Sequence, residues 1–178
     1  MIENYGLIWP RKYIHVGAGS NKGTLLGYNA KVGIVDFREQ IGIYVLYDRN
    51  MLPVYVGQSG SGSANLFNRL KSHTKGRIWH RWEYFSWFGL RKVNKTGRLH
   101  AYGKSENLFK TTGAQVLNQL EGVLIAATEP RFNRQGARFG GAIEFYPVDD
   151  ENVTEMTLES ISFQISEIQT QLSNLNKK

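Results

Sequence analysis

Six side chains in this 178-residue chain have the types and spacings from which an active site is built. Tyr44 and Tyr55 stand eleven positions apart in the stretch GIYVLYDRNMLPVYVGQSG, residues 42–60. Arg69 and His73 are four apart in ANLFNRLKSH. Glu121 lies within the apolar run VLNQLEGVLIAA, and Asn133 follows Pro130. Such residue types transfer protons, hold anions and ligate cations. Taken singly, each also has a plainer reading. Tyrosine fills sheet cores, arginine and histidine occupy solvated helix faces, a glutamate borders an apolar stripe, and an asparagine makes a turn.

The elements that must position these side chains follow from periodicity. Residues 42–60 hold two apolar, β-branched runs around a polar turn, which predicts a β-hairpin. Side chains alternate along a strand, so Ile43, Val45 and Tyr47 point one way and Tyr44 and Leu46 the other. In the second run Val54 and Val56 point one way, and Tyr55 and Gly57 the other. A two-residue turn at Arg49 and Asn50 puts Tyr44 directly opposite Tyr55. A one-residue slip would send the two phenols to opposite faces.

A helix follows the hairpin, with Ser63 as expected N-cap and Leu66 and Leu70 facing the core. Arg69 and His73 then share a neighbouring face. RWEYFSWFGLRKV reads as a third, aromatic strand, and residues 91–112 as a polar, basic loop. TTGAQVLNQLEGVLIAATEP reads as a helix stopped at Pro130. Its apolar stripe is Leu117, Leu120, Val123, Leu124 and Ala127, with Glu121 at the margin. A carboxylate there is either exposed or held by a cation or donor. AIEFYPV reads as a last strand. In residues 1–40, IWPRKYIHV and KVGIVDF read as short strands joined by a glycine-rich turn. That turn is no phosphate-binding loop, because Lys22-Gly23-Thr24 inverts the required Gly-Lys-Thr order, and no dinucleotide fingerprint fits.

Composition narrows the classes. With no cysteine there is no disulfide, thiol nucleophile or cysteine metal site. No apolar run approaches the ~20 residues of a membrane span. The N-terminus MIENYGLIWPRKY has no signal-peptide core, and the expected location is cytoplasmic. The net charge of +7 is unevenly placed. Residues 69–110 carry 11 Lys and Arg against 2 acids, whereas residues 149–178 carry 2 against 6. The basic segment interleaves its cations with Trp79, Trp82, Tyr84, Phe85, Trp87 and Phe88, a pattern suited to nucleic acid. Lys71, Lys75, Arg77, Arg91, Lys92, Lys95 and Arg98 are its candidate contacts. In the tail, Leu158, Ile161, Ile165, Ile168, Leu172 and Leu175 follow a heptad seam. That helix either pairs with a second copy or folds back on the domain.

In order along the chain, Gly42-Ile43-Tyr44, Tyr55-Val56-Gly57, Arg69, His73, Glu121 and Asn133 resemble the GIY-YIG nuclease superfamily. The resemblance covers about residues 41–135, with valine in place of isoleucine in the second motif and a long aromatic and basic stretch before Glu121. It implies an α+β fold, a small three-stranded antiparallel sheet flanked by helices. Residues 1–40 would then be an N-terminal extension packed on the core, 41–148 the nuclease domain and 149–178 a C-terminal helix.

The resemblance also implies metal-dependent hydrolysis of DNA phosphodiesters. Glu121 is the implied ligand of Mg²⁺ or Mn²⁺. Arg69 is the implied grip on the scissile phosphate, and Tyr44 the general base. A tyrosine with its ordinary pKa of about 10 needs help from Arg69, the metal or a hydrogen-bond partner to act as a base. His73 would receive or relay the proton, Tyr55 would orient water or phosphate, and Asn133 would brace the site. The implied partner is double-stranded DNA. A restriction enzyme, dimeric through residues 158–175, heads the readings. A repair or structure-specific nuclease and a non-catalytic nucleic-acid-binding module stand as alternatives.

Overall fold

The computed structural model describes residues 2–18, 22–60, 65–100, 113–128 and 139–149, with helical positions between 153 and 170; for 113–118 and 121 it describes backbone alone. The hairpin is present as β4 (Gly42–Tyr47) and β5 (Pro53–Ser59), after β1 (Asn4–Pro10), β2 (Leu26–Asn29) and β3 (Gly33–Asp36). Then come α1 (Leu66–His73), β6 (Tyr84–Gly89), α2 (Gly113–Thr128), β7 (Ile143–Glu144) and β8 (Tyr146–Pro147).

The sheet is larger than three strands flanked by helices, and that expectation is corrected here. Five strands lie in the order β5-β4-β6-β1-β7, and three more form a second sheet, β3-β2-β8. The three expected strands, β5, β4 and β6, are antiparallel neighbours. The edge of β6 does not stay open. Strand β1 pairs antiparallel along it, and β7 adds in parallel to β1, making the sheet mixed. An unpaired strand edge leaves backbone groups unsatisfied, and Asn4–Pro10 covers this one. The sequence ENYGLIWP hides the strand because its alternation breaks. The register shifts between Gly6 and Trp9, and Ile8 takes φ 51°. A bulge of this kind destroys the period of two that marks a strand.

AIEFYPV divides between the two sheets. Ile143–Glu144 pairs with β1, the buried Phe145 crosses over, and Tyr146–Pro147 pairs with β2. One core fills the space between the sheets and α1, with Trp9, Phe37, Phe85, Trp87 and Phe145 at its centre. Their rings meet edge-on or tilted at 4.5–6.4 Å, the favoured aromatic geometries.

The opposite face of the large sheet carries a second core. There Val45, Tyr47 and Phe88 pack against Val123, Ala126, Ala127 and Phe139. Helix α2 therefore sits on its small residues, and Leu120 and Leu124 of the expected stripe are exposed. A face of Gly122, Val123, Ala126 and Ala127 allows the close approach that bulky aromatics on the sheet demand, which leucine would prevent. Among the described residues no helix is long and apolar enough to cross a membrane.

Candidate active site

The hairpin turn is longer than two residues. Asp48 and Leu52 close it, with Asp48 N–H donating to Leu52 O at 2.9 Å and Met51 at φ 63°. A second one-residue shift follows between Leu46 and Tyr47. Each irregularity moves the register by one, and together they restore the original facing. Tyr44 thus lies opposite Gly57, and Tyr55 opposite Leu46. The phenols share a face as diagonal neighbours, their ring centroids 6.1 Å apart.

This arrangement explains Gly57. A Cβ at that position would overlap the Tyr44 hydroxyl and its ring carbon, and would meet Tyr55 at 2.8 Å. Only a residue without a side chain lets the Tyr44 ring lie across the strand here.

Helix α1 brings the third member. Leu66, Phe67 and Leu70 are buried, and His73 continues the Leu66–Leu70 line by one turn. It therefore faces the sheet. His73 Nε2 lies 2.9 Å from the Tyr44 hydroxyl, and the imidazole lies 5.8 Å from the Tyr44 ring and 4.8 Å from the Tyr55 ring. Arg69, exposed at the rim, donates from Nε to the Gln58 carbonyl of β5 at 3.2 Å. Three separate segments thus converge: β4 supplies Tyr44, β5 supplies Tyr55 and Gly57, and α1 supplies Arg69 and His73.

Several positioning residues had no sequence signal. The N-cap of α1 is Asn65, not Ser63; its side chain accepts from Asn68 N–H at 2.8 Å. Gln40 is fully buried and donates to Asn4 Oδ1 at 2.6 Å and to Arg91 O at 3.0 Å. Its Oε1 accepts from the N–H groups of Ile41 and Arg91, and its main-chain carbonyl accepts from Leu66 N–H at 2.7 Å. The side-chain amide thus fastens β1 to the chain just after β6, and the main chain of the same residue holds the start of α1. Trp82, also buried, donates from Nε1 to the His73 carbonyl at 3.2 Å and fixes that end of the helix.

Burial sets the proton affinities of the pair. The Tyr44 phenol is pushed up to about 12, mainly by desolvation and then by the neighbouring Tyr55, with the Arg69 guanidinium opposing. His73 is lowered from its ordinary 6.5, first by burial and then by Arg69. At pH 7 both groups are neutral.

Glu121 falls within α2, but its side chain, like all of Asn133, lies outside the described residues. The described contacts of α2 are on the Val45 and Tyr47 face, opposite to the face of Tyr44. Among the described residues no group of three or more His, Cys, Asp or Glu side chains could hold a metal. The described site does not by itself suit a divalent cation. It offers two phenols, an imidazole engaged by a hydroxyl, and a guanidinium that repels cations, with no carboxylate.

The basic candidates divide into two kinds. Lys71 donates to the Val16 carbonyl at 3.1 Å, and Arg91 donates to the carbonyls of His100 at 2.7 Å and Glu39 at 2.5 Å. These two brace loops. Lys75, Arg77, Lys92, Lys95 and Arg98 are exposed. The last three sit on a short turn closed by a Val93–Leu99 bridge, so residues 92–100 are more ordered than a plain loop. No protein-family model matches this chain, and neither a curated protein nor a solved structure matches it.

Proposed function

We propose that this chain is a nuclease that hydrolyses phosphodiester bonds, with double-stranded DNA as its substrate. The observation that carries the reading is the convergence of Tyr44, Tyr55, Arg69 and His73 at one partly open site. The mechanism that suits this geometry begins with a neutral His73 accepting the Tyr44 O–H. As water attacks phosphorus, the Tyr44 oxygen takes the proton of the water and passes its own to Nε2. The P–O3′ bond breaks, the leaving oxygen is protonated from solvent, and His73 returns its proton to solvent. Arg69 lies where a guanidinium fork can hold the non-bridging oxygens and offset the charge that develops on them. Tyr55, on the same face, orients water or phosphate.

Mg²⁺ or Mn²⁺ enters this reading only through Glu121, as the resemblance implies. The restriction form of the reading needs two copies to cut both strands of a symmetric site. Leu158, Ile161, Ile165 and Ile168 of the heptad seam are exposed, which supports pairing of that kind.

The test is cleavage of supercoiled plasmid with Mg²⁺ or with chelator. Wild type is expected to relax or linearise it, and Tyr44→Phe, His73→Ala and Glu121→Ala to lose that activity. Discrete bands would support a restriction enzyme, and random nicking a repair-type one. Folded wild type that binds DNA but leaves plasmid, branched and single-stranded DNA intact would instead make the chain a non-catalytic binding module.

A further inference from the structure

At the turn end of the large sheet lies a cleft of about 740 Å³, lined by Arg11, Lys12, Arg49, Thr74, Glu83 and Tyr84. None of its three cations belongs to the basic segment of residues 69–110. We propose that this cleft binds a backbone phosphate of the nucleic-acid strand, flanking the phosphate held at Tyr44. The proposal rests on the nuclease reading and extends it to a second contact point.

Three observations carry it. The first is charge: three cations from two distant segments meet one carboxylate, an excess that selects an anion. The second is order. Arg11 is held by Glu83 at 3.6 Å, by the Trp79 carbonyl, and over the Trp82 ring at 5.3 Å. A guanidinium fixed in this way loses little freedom when it binds. Lys12 and Arg49 are exposed and form no ion pair among the described residues; Lys12 Nζ lies 5.1 Å from the Tyr13 ring, a contact that leaves its charge unneutralised. The third is continuity. Thr74 follows His73 directly, and the Trp82 ring under Arg11 is the one that donates to the His73 carbonyl. The cleft and the Tyr44 site therefore adjoin at the C-terminal end of α1, where Thr74 lines the one and His73 the other.

The experiment measures binding of a short labelled DNA duplex in chelator across a salt series. It compares wild type, the Lys12→Ala/Arg49→Ala double variant, and Glu83→Gln. Each lost phosphate contact lowers the slope of log K against log salt by about 0.9. The double variant removes the one phosphate contact of the cleft and is expected to lose about 0.9 of slope, and Glu83→Gln to bind more tightly. Circular dichroism checks that each variant is folded. Unchanged slope and affinity in the folded double variant overturn the proposal. So does loss of poly-glutamate binding with DNA affinity intact, which would give the cleft to an acidic protein. Plasmid cleavage by wild type is scored separately, so the cleft can fail while the nuclease reading stands.

Discussion

The substitution Gly57→Ala isolates the contact on which the site depends. Gly57 is not among the residues of positive φ, so an added methyl meets no backbone penalty. What it meets is Tyr44, whose hydroxyl and ring carbon occupy that space, and Tyr55 at 2.8 Å. Overpacking costs about 1–3 kcal/mol. Displacing the Tyr44 ring also breaks its hydrogen bond to His73, worth about 0.5–1.5 kcal/mol. Replacing glycine returns about 0.5–1 kcal/mol through the unfolded chain. The net expectation is a loss of about 0.5–4 kcal/mol, or roughly 2–4 °C of Tm for each kcal/mol in a domain of this size. Urea unfolding followed by the buried indoles of Trp9, Trp82 and Trp87 measures it. Gly141→Ala is the control: a Cβ there has nothing within 4 Å, and its stability should hold or rise. Adding Tyr44→Phe removes the overlapping hydroxyl, so the double variant should be more stable than the sum of single effects by at least about 0.5 kcal/mol. Gly57→Ala as stable as Gly141→Ala, with no coupling to position 44, would refute the packing of Tyr44 across β5.

Three further outcomes follow from the same geometry. Cleavage should persist as pH falls below 6.5 and be lost as pH drops through the lowered pKa of His73, because only the neutral ring accepts a proton; a pH–rate profile checks this. The Tyr44 pKa is raised from 10.0 to about 12, so its stabilising contribution is complete below pH 10 and is lost as pH rises toward 12. At about 1.4 kcal/mol per unit the loss is on the order of 3 kcal/mol, read as the difference between wild type and Tyr44→Phe in urea midpoints across that range. Removing residues 152–178 should leave a monomer by light scattering if the exposed heptad seam pairs copies of the chain; an unchanged mass would exclude that role.

What was legible in the sequence was parity, and what was hidden was register. The alternation of GIYVLY and PVYVG places Tyr44 and Tyr55 on one face whatever the turn, provided the slips add to an even number. Nothing in DRNML announces that the turn takes three residues and that a bulge follows, so Gly57 opposite Tyr44 is visible only in three dimensions. His73 was legible because its spacing from Leu66 and Leu70 is helical. Its anchors were not: Gln40 and Trp82 act through backbone carbonyls and amides, which any sequence supplies. Strand β1, the fourth of the sheet, was hidden by its bulge; AIEFYPV was legible as a strand, but without β1 its pairing as the fifth was not. Of the expected α2 stripe Val123 and Ala127 are buried but Leu120 and Leu124 are not, because packing against Phe88 and Phe139 rewards the smaller residue although leucine outranks alanine in hydrophobicity.

The two pKa shifts bear on which group can serve as the base. A tyrosine that removed a proton by itself would need a depressed pKa, and Tyr44 has a raised one. Burial raises the phenol and lowers the imidazole because it disfavours the charged form of each. The pair is thereby held as phenol and neutral imidazole, the combination in which a hydroxyl proton can pass to Nε2 while the phenol oxygen accepts another. Tyrosinate is never required as a standing species. On the nuclease reading, Tyr44 is the conduit and His73 the proton store. Arg69 acts on both members, since its charge helps keep His73 neutral and opposes the rise at Tyr44, so it lowers the proton affinity of each in the same direction. The same guanidinium that would hold the phosphate therefore also tunes the pair that would activate the water.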